Sequence, residues 1–508
     1  MDIDDLSDGA LNTNTTPDCG MPVWHVSDPY ISLWLKDEPL GYQPARGPRI
    51  SCELAFKQRE FLAGWNPNIF GVGVGWNFSW LSYVTWDINS NNVVHFPGGG
   101  QRTYFTTNDY LTDTILTENT TNGFTVLYPD GRQDVYGFVV TNHNGAFLGA
   151  YMTARLNPQG QQTQLTYYEY NAIYPIIKLQ YVIDGDGRTT TNYYATNNAF
   201  STNLISQITD PFGRSVFLGY DSSGHLTNIT DVGGISSSFL YDNSNWVTNL
   251  TTPYGTNSFA ITDTTGTNIA PNGRSVLVTE PDGGTELYLY QDNEPGIAAS
   301  YSTIPGTTPF INTLDSTNLN LRDSFHWGRM QYAALSTTNI SEFTTNDFRK
   351  ARMKHWLLTS LNAPGQTLSM ECAPSPDSAG TIQGQITWYD YAGKTNTEYE
   401  GTQFLRLLMA RVLPDGTTSF SRTDRNPIGN VLTNASTWSA GGSVAVRTNI
   451  FTYNPTNGID LIIATNAMGV QVSSNLYNSC HETLTHYDAL NQATTHVYNT
   501  NQQLYRRA

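Results

Sequence analysis

Positive charge is scarce in this sequence. Lys and Arg number 26 against 43 Asp and Glu, the net charge is −17, and charged residues fill only 14% of the 508 positions. Such a chain lacks the concentrated basic footprint that a nucleic-acid backbone requires, and anionic lipid headgroups repel it. Neither partner is expected. No apolar run approaches the ~18 residues that span a bilayer, so no membrane span is expected either. The four cysteines, Cys19, Cys52, Cys372 and Cys480, form no CxxC pair, which removes a local zinc knuckle. Four are also too few for a disulfide-dense scaffold of this length. Two readings stay open for them, a Cys19–Cys52 bridge or free buried thiols. Long Ala/Glu/Lys/Leu stretches are nearly missing. The start, Met1-Asp2-Ile3-Asp4-Asp5, is acidic where a secretory signal is basic and then apolar. The chain therefore reads either as cytosolic or as an internal piece of something longer.

What is abundant points to β-structure. There are 30 Tyr, 21 Phe and 43 Gly, and Thr and Asn recur throughout. Tyr and Thr suit a pleated, half-buried surface, while Asn and Gly suit the turns between strands. An internal repeat organises these residues. Tyr220-Asp221 recurs as Tyr241-Asp242, and Gly213 recurs as Gly234 and Gly255, each interval being 21 residues. Between the marks the chain alternates: Val216, Leu218 and Tyr220 share one face and Phe217 takes the other. Asp210-Pro211-Phe212-Gly213 is turn chemistry, because Asp bonds its own backbone, Pro presets φ and Gly accepts positive φ. The cadence continues from Asn157-Pro158-Gln159-Gly160 to Tyr167, from Asp184-Gly185-Asp186-Gly187 to Tyr194, and from Pro281-Asp282-Gly283-Gly284 to Tyr288 and Tyr290. Tyr453-Asn454, Tyr487-Asp488 and Tyr498-Asn499 carry it on more loosely.

This series resembles the YD-repeat, or RHS-repeat, family, whose consensus runs roughly Tyr-Asp-x-x-Gly-Arg-Leu. Tyr220-Asp221-Ser222-Ser223-Gly224-His225-Leu226 matches it with His in place of Arg, and Asn245 and Asn491 stand in the Gly position of later units. Asn is the next best residue for a left-handed turn. Val72-Gly73-Val74-Gly75-Trp76-Asn77-Phe78-Ser79 is similar to the Phe-Gly-x-Gly-Trp-x-x-Ser segment that precedes such repeats, with Val for Phe. The resemblance covers residues 60–285 well and 385–508 weakly. It implies an all-β chain, a long antiparallel repeat sheet coiled into an open or partial RHS-type shell, with one short helical insertion. It also implies a non-catalytic, encapsulating segment of a large exported, polymorphic-toxin-like bacterial protein, secreted or at the cell surface, with an enclosed C-terminal effector as partner. The alternatives are a generic β-repeat fold such as a propeller, and a secreted carbohydrate-binding or adhesin-type module with a cell-surface glycan as partner. Trp76, Trp80 and Trp86 would supply aromatic platforms for the latter, although cross-strand aromatic ladders explain them more simply.

The expected organisation is an acidic, extended lead-in at 1–58, an opening β-region at 59–150, repeat sheet at 151–290, an irregular insertion at 291–380, and further repeat sheet at 381–508. The cadence lapses in the insertion. Thr344-Thr345-Asn346-Asp347 offers a helix cap with a carboxylate complementing the dipole, and Phe348, Ala351, Arg352 and His355 fall on one side. A helix over 346–360 is expected. Arg349, Lys350, Arg352 and Lys354 crowd this segment, either to neutralise nearby carboxylates or to dock an acidic partner.

Chemistry-bearing patterns are few. His481-Glu482-Thr483-Leu484-Thr485-His486 fails as a zinc-protease motif, because its histidines are five apart rather than four and sit in a strand context. A hydrolase built on His481 or His486 is the minor alternative to a chain that is not an enzyme. Asp210-Pro211-Phe212-Gly213 is similar to the family's Asp-Pro-x-Gly self-cleavage signature, but repeat sequence follows it, so it reads as a turn. Asp2-Ile3-Asp4-Asp5-Leu6-Ser7-Asp8-Gly9 resembles the tail of a thrombospondin type 3-like calcium repeat. Asp2, Asp4 and Asp8 match its acidic positions and are the candidate metal ligands, with calcium the one cofactor in view. Ile3 and Asp5 stand where Gly is usual, and half a motif cannot fill the coordination shell. Both ends read as cut, the start within an acidic motif and the finish within a repeat.

Overall fold

The structure is a computed structural model that describes residues 21–58, 68–109, 112–119, 123–170, 175–198, 200–263, 273–291, 304, 308–315, 317–440, 443–500 and 504–507. Among them strands dominate, as the Thr/Tyr-rich composition requires. The helices are two short ones, Arg329–Ala333 and Thr345–Lys350, with a 3-10 turn at Ile340–Glu342.

Three bodies follow one another along the chain. A four-stranded antiparallel sheet comprises Val23–Ser27, Ser32–Tyr42, Ile50–Lys57 and Trp76–Phe78. A small ring then runs from the strand Tyr83–Trp86 to the strand Phe147–Leu156. It closes where Ala150 and Tyr151 pair with Val84 and Tyr83. The same long strand gives its last residues, Ala154 to Leu156, to the strand Gln162–Tyr170. One strand thus both closes the ring and launches the third body, a meander in which each strand pairs antiparallel with the next as far as Leu504–Arg507. The ring is closed, and the long sheet is open.

The hairpins share one turn. The N–H of Asp210 donates to the Arg214 carbonyl, and the N–H of Gly213 donates to the Asp210 carbonyl. This is a three-residue loop whose last member must be left-handed. Gly213 has φ 80°, Gly224 has φ 81°, and Asn245 and Asn491 take the same role at 65° and 60°. Gly224 has a second reason: the Phe200 ring fills the space that a Cβ would need.

The four-stranded sheet lies on one face of the meander, called here the inner face. Trp76 packs on Phe239 with ring centroids 4.9 Å apart, Phe56 packs on Tyr241, Trp24 on Phe259 and Tyr42 on Phe212. Under this cover Val216, Leu218, Leu226, Ile229, Phe239, Val247 and Leu250 are all buried in one continuous core. A second core occupies the opposite, outer face. Leu287, Leu289, Phe325, Trp327, Met353, Met370 and Trp388 lie there beneath Phe348 of the helix Thr345–Lys350, with Tyr332 and Phe343 at the margin.

The sheet coils back on its own start. The Asn430 side-chain amide donates to the Pro129 carbonyl across 301 residues of sequence. Gly131 lies against Ile459, and Gly429 lies against the Asp113 carboxylate. These are contacts between turns, not ladder bonds.

The helix expected over 346–360 is corrected. Its start forms as expected, with a capping box between Thr344 and Asp347. It ends at Lys350, and Arg352–Leu358 is a strand between Asp323–Trp327 and Pro364–Cys372. Two flanking strands satisfy the backbone of this segment on both edges, which an isolated short helix cannot match. The strands Asp323–Trp327, Arg352–Leu358 and Pro364–Cys372 thus lie within the stretch expected to be irregular.

Phe239 is fully buried between the four-stranded sheet and the meander. Phe239→Ala is expected to cost about 3–5 kcal/mol in a denaturant unfolding titration.

Candidate functional site

The recurring element of the meander is a node built on Tyr. The Tyr220 hydroxyl donates to the Ile205 carbonyl at 2.6 Å, Tyr241 to Leu226 at 2.7 Å, Tyr194 to Leu179 at 2.8 Å and Tyr167 to Met152 at 2.7 Å. Tyr498 does the same to Thr483 at 3.1 Å, and every one of these bonds reaches 15 residues back. Each node sits at a register shift: Gly219/Tyr220, Leu240/Tyr241, Tyr193/Tyr194 and Val497/Tyr498. A bulge there leaves ladder groups unpaired and bends the strand, and the phenol supplies a missing donor. The nodes are linked. Leu226 pairs with Tyr220 through its backbone and accepts the Tyr241 hydroxyl on its carbonyl. Burial pushes the Tyr167 and Tyr220 phenols well above their ordinary values, so they remain donors.

The Asp that follows completes the node. Asp221 accepts from the backbone N–H of Ser223 and of His225, and Asp242 accepts from Ser244 and Trp246. Burial is the largest single effect on Asp221 and pushes it up, but the bonds from the His225 side chain and from the His225 and Ser223 N–H groups together hold it below the usual carboxylate range.

The inner face changes character along the sheet. Two and four residues before Tyr220 stand Leu218 and Val216, buried beneath the four-stranded sheet. At the matching places before Tyr477 stand Asn475 and Ser473, and before Tyr498 stand His496 and Thr494. Asn475 is paired with His486, whose Nδ1 lies 2.8 Å from the Asn475 amide oxygen, so both side chains share this face. The last contacts of the cover are at the strand Arg352–Leu358, where Lys354 pairs with Asp28 at 2.7 Å, and at the start of the strand Pro364–Cys372. Near it, the Tyr30 hydroxyl donates to the Pro364 carbonyl. Next to it a small apolar cluster, Trp356, Leu368, Tyr389 and Tyr391, is still buried; from the strand Thr418–Arg425 onward the face is largely polar.

The RHS repeat family model matches residues 220–256. The chain carries an RHS repeat. The match holds the Tyr220 and Tyr241 nodes and their Asp-containing turns. Among solved structures, a crystal structure of TcdB2-TccC3-TEV is 9% identical with a TM-score of 0.18, over 94% of this chain and 27% of that one. A Tc holotoxin pore from Photorhabdus luminescens is 9% identical with a TM-score of 0.15, over 99% of this chain and 30% of that one. A porin-like protein from Bacteroides uniformis is 10% identical with a TM-score of 0.12, over 72% of this chain and 91% of that one. Scores at this level establish no shared overall arrangement. The chain spans under a third of the toxin chains' length. No curated protein matches it in sequence.

The residues singled out in the sequence fall as follows around the RHS nodes. Asp2, Asp4 and Asp8 lie outside the described residues, as does Cys19. Cys52 and Cys372 are free, buried thiols. Burial pushes the Cys52 thiol up to about 12 and Cys372 to about 11, which leaves both unreactive. His481 is held by Asp460 at 2.9 Å and His486 by Asn475, so the two imidazoles serve separate partners. Asp210 is a turn residue, ion-paired with Arg214 at 2.7 Å. Trp76 and Trp80 are buried, Trp76 donating from Nε1 to the Tyr241 hydroxyl, which removes them as glycan platforms. Trp86 is 44% exposed and packs at a tilt on Phe147. In the basic segment Lys350 meets Asp347, Arg352 meets Glu371 and Lys354 meets Asp28, so three of its four cations neutralise nearby carboxylates.

Sequence reasoning missed one cluster. His355 is fully buried, with Nδ1 2.8 Å from Asp323 and Nε2 3.4 Å from Asp315. Arg322 meets Asp315 at 3.1 Å and donates from Nε to the Trp356 carbonyl. Burial alone would lower the imidazole's proton affinity, but the hydrogen bonds to the two carboxylates raise it. The same contacts, outweighing burial, hold Asp315 low. The histidine is fully buried, and the cluster ties the segment carrying Asp315 and Arg322 to the sheet.

Two outcomes are expected. Tyr220→Phe leaves the Ile205 carbonyl without its donor and should cost about 1–3 kcal/mol on unfolding. A raised histidine stabilises fully below its unfolded value, near 6.5, and that contribution is lost as pH rises through the folded value. The stability gap between the wild type and His355→Gln should therefore narrow as pH is raised above about 6.5, read from urea midpoints.

Proposed function

We propose that this chain is a non-catalytic wall segment of an RHS-type shell, part of a larger exported bacterial protein of the polymorphic-toxin kind, secreted or at the cell surface. The observation that carries this reading is the return of the sheet to its own start. Asn430 and the turn around Ile459 reach the ring loops at Pro129 and Gly131, some 300 residues earlier. A sheet bent at every Tyr node and touching itself after that interval makes a coiled wall. The four-stranded sheet stoppers the first part of the inner face, and the polar remainder suits an aqueous interior that holds a C-terminal effector without packing against it. The side-chain clusters support a structural role, since Asp134 with Arg155 and His355 with Asp315 and Asp323 tie segments together. The acidic start, with Asp2, Asp4 and Asp8, is proposed as the remnant of a calcium-binding segment leading into the wall. No helix among the described residues is long and apolar enough to cross a membrane.

Small-angle X-ray scattering tests the wall. A compact chain of this length has a radius of gyration of roughly 23 Å. A hollow or open wall should exceed that value, with a pair-distance distribution displaced toward long vectors. A value at the compact limit would sink the reading in favour of a closed propeller.

A further inference from the structure

The inner face can be followed strand by strand through its cross-strand pairs. Lys354 stands opposite Glu371, Glu371 opposite Thr387 and Thr387 opposite Arg411. Arg411 stands opposite Ser419, and on the next two ladders Ser421 is opposite Ser436 and Ser436 opposite Arg447. The Arg447 Nε–H donates to the Ser436 hydroxyl at 3.4 Å, which confirms the shared face. Phe451, two pleats on from Arg447, stands opposite Ala464 and Ala464 opposite Ser473. The series then passes through Asn475 to His486, from His486 to Thr494, and from His496 to Arg507.

From the strand Ile386–Tyr391 to the strand Leu504–Arg507, no strand residue on this face is acidic. The two acidic strand residues of that stretch point the other way: Asp390 accepts from Thr313 of the outer cover, and Asp424 takes Arg422 and Thr433. Arg406, Arg411, Arg447 and Arg507 are exposed on the inner face, with His486 and His496 between and beside them. Arg406 lies over the Tyr389 ring at 4.0 Å, and Arg411 donates to the Gln385 side-chain oxygen at 2.7 Å. None of the four meets a carboxylate among the described residues. Arg46, Arg49, Arg102, Arg155, Arg188 and Arg274, by contrast, each have one. In a chain of net charge −17, guanidiniums without counter-charges gathered on one face form a local field opposite in sign to the whole.

We propose that the inner face of the last nine strands is a docking surface for an extended acidic polypeptide segment that lies across the strands. Guanidinium forks match carboxylates in geometry as well as charge. The Ser, Thr and Asn side chains between them offer donors and acceptors to peptide groups. Eight strand spacings of about 4.8 Å give the strip a length of roughly 38 Å, the reach of about 12 extended residues. A polypeptide fits better than a nucleic acid, because four guanidiniums are a small footprint for a phosphate backbone, while the polar side chains between them match peptide N–H and C=O groups. The inference stands without closure of the shell and goes beyond the reading above.

The test uses the full chain and a fluorescent peptide of alternating Glu and Ser, about 16 residues long. A Lys/Ser peptide and an oligothymidylate of equal net charge serve as comparisons. Fluorescence anisotropy should show the Glu/Ser peptide binding more tightly than both, at least about tenfold more weakly at 0.3 M than at about 0.05 M salt. Joint replacement Arg406→Gln, Arg411→Gln, Arg447→Gln and Arg507→Gln should weaken it about tenfold or more, with unchanged circular dichroism. The corresponding four Arg→Lys replacements should keep most of the binding. No binding by the wild type, equal binding by the Gln variant, or tighter binding of the oligothymidylate would each overturn the proposal.

Discussion

A phenol hydroxyl reaching a carbonyl 15 residues back is the interaction on which the rest of the architecture depends. A long antiparallel meander has no reason to bend in one place rather than another. Here each Tyr stands at a register shift, where the ladder loses a partner and the strand turns. The hydroxyl supplies a donor at that point, which makes the bend satisfiable when buried. Because Leu226 both pairs with Tyr220 and accepts from Tyr241, successive bends are coupled rather than independent. The Asp and Gly that follow restart the chain in the opposite direction, with Asp221 satisfying two backbone N–H groups of its own loop.

The two faces of the resulting sheet are solvated differently along its length, and the covers explain this. The four-stranded sheet takes the inner face over the first hairpins, and the segment containing the short helices takes the outer face over the middle ones. Each cover is fastened at its margin by ions: Asp28 with Lys354 for the first, and Asp315 with Arg322 and His355 for the second. A buried charged cluster contributes little net stability against an apolar replacement, but it is costly to break one partner at a time. Past both covers the last hairpins expose both faces. Their inner positions carry Ser473, Asn475, Thr494 and His496 instead of aliphatic side chains, so water is a tolerable neighbour there.

Much of this was legible before any coordinates. The interval from Tyr220-Asp221 to Tyr241-Asp242, with Gly or Asn at the left-handed place, specifies strand, turn and repeat together, because turn chemistry and pleat are local. The expected helix shows where local reading stops. Thr344 and Asp347 do cap a helix, yet beyond Lys350 the backbone found two strands to pair with, and no local propensity competes with a ladder on both edges. The Trp residues teach the same lesson, since only placement against Phe239 and Tyr241 tells that Trp76 is core. His355 was read as a helix-face residue, because its partners Asp315 and Asp323 are 40 and 32 positions away.

The sequence by itself determined an all-β repeat chain, the turns of its regular repeats and the Tyr of the nodes at 167, 194, 220, 241 and 498, since each follows from backbone preferences within a few residues. The hydrogen bond that makes the node a joint belongs to the tertiary structure, because its acceptor is a carbonyl that only the register of the neighbouring strand brings within reach. The same is true of the sides of the sheet. Alternation says that Arg411 and Arg447 share a face with their own neighbours. Only an unbroken line of cross-strand pairs, with bulges shifting the phase at each Tyr, says that they share it with each other and with the surface the four-stranded sheet covers.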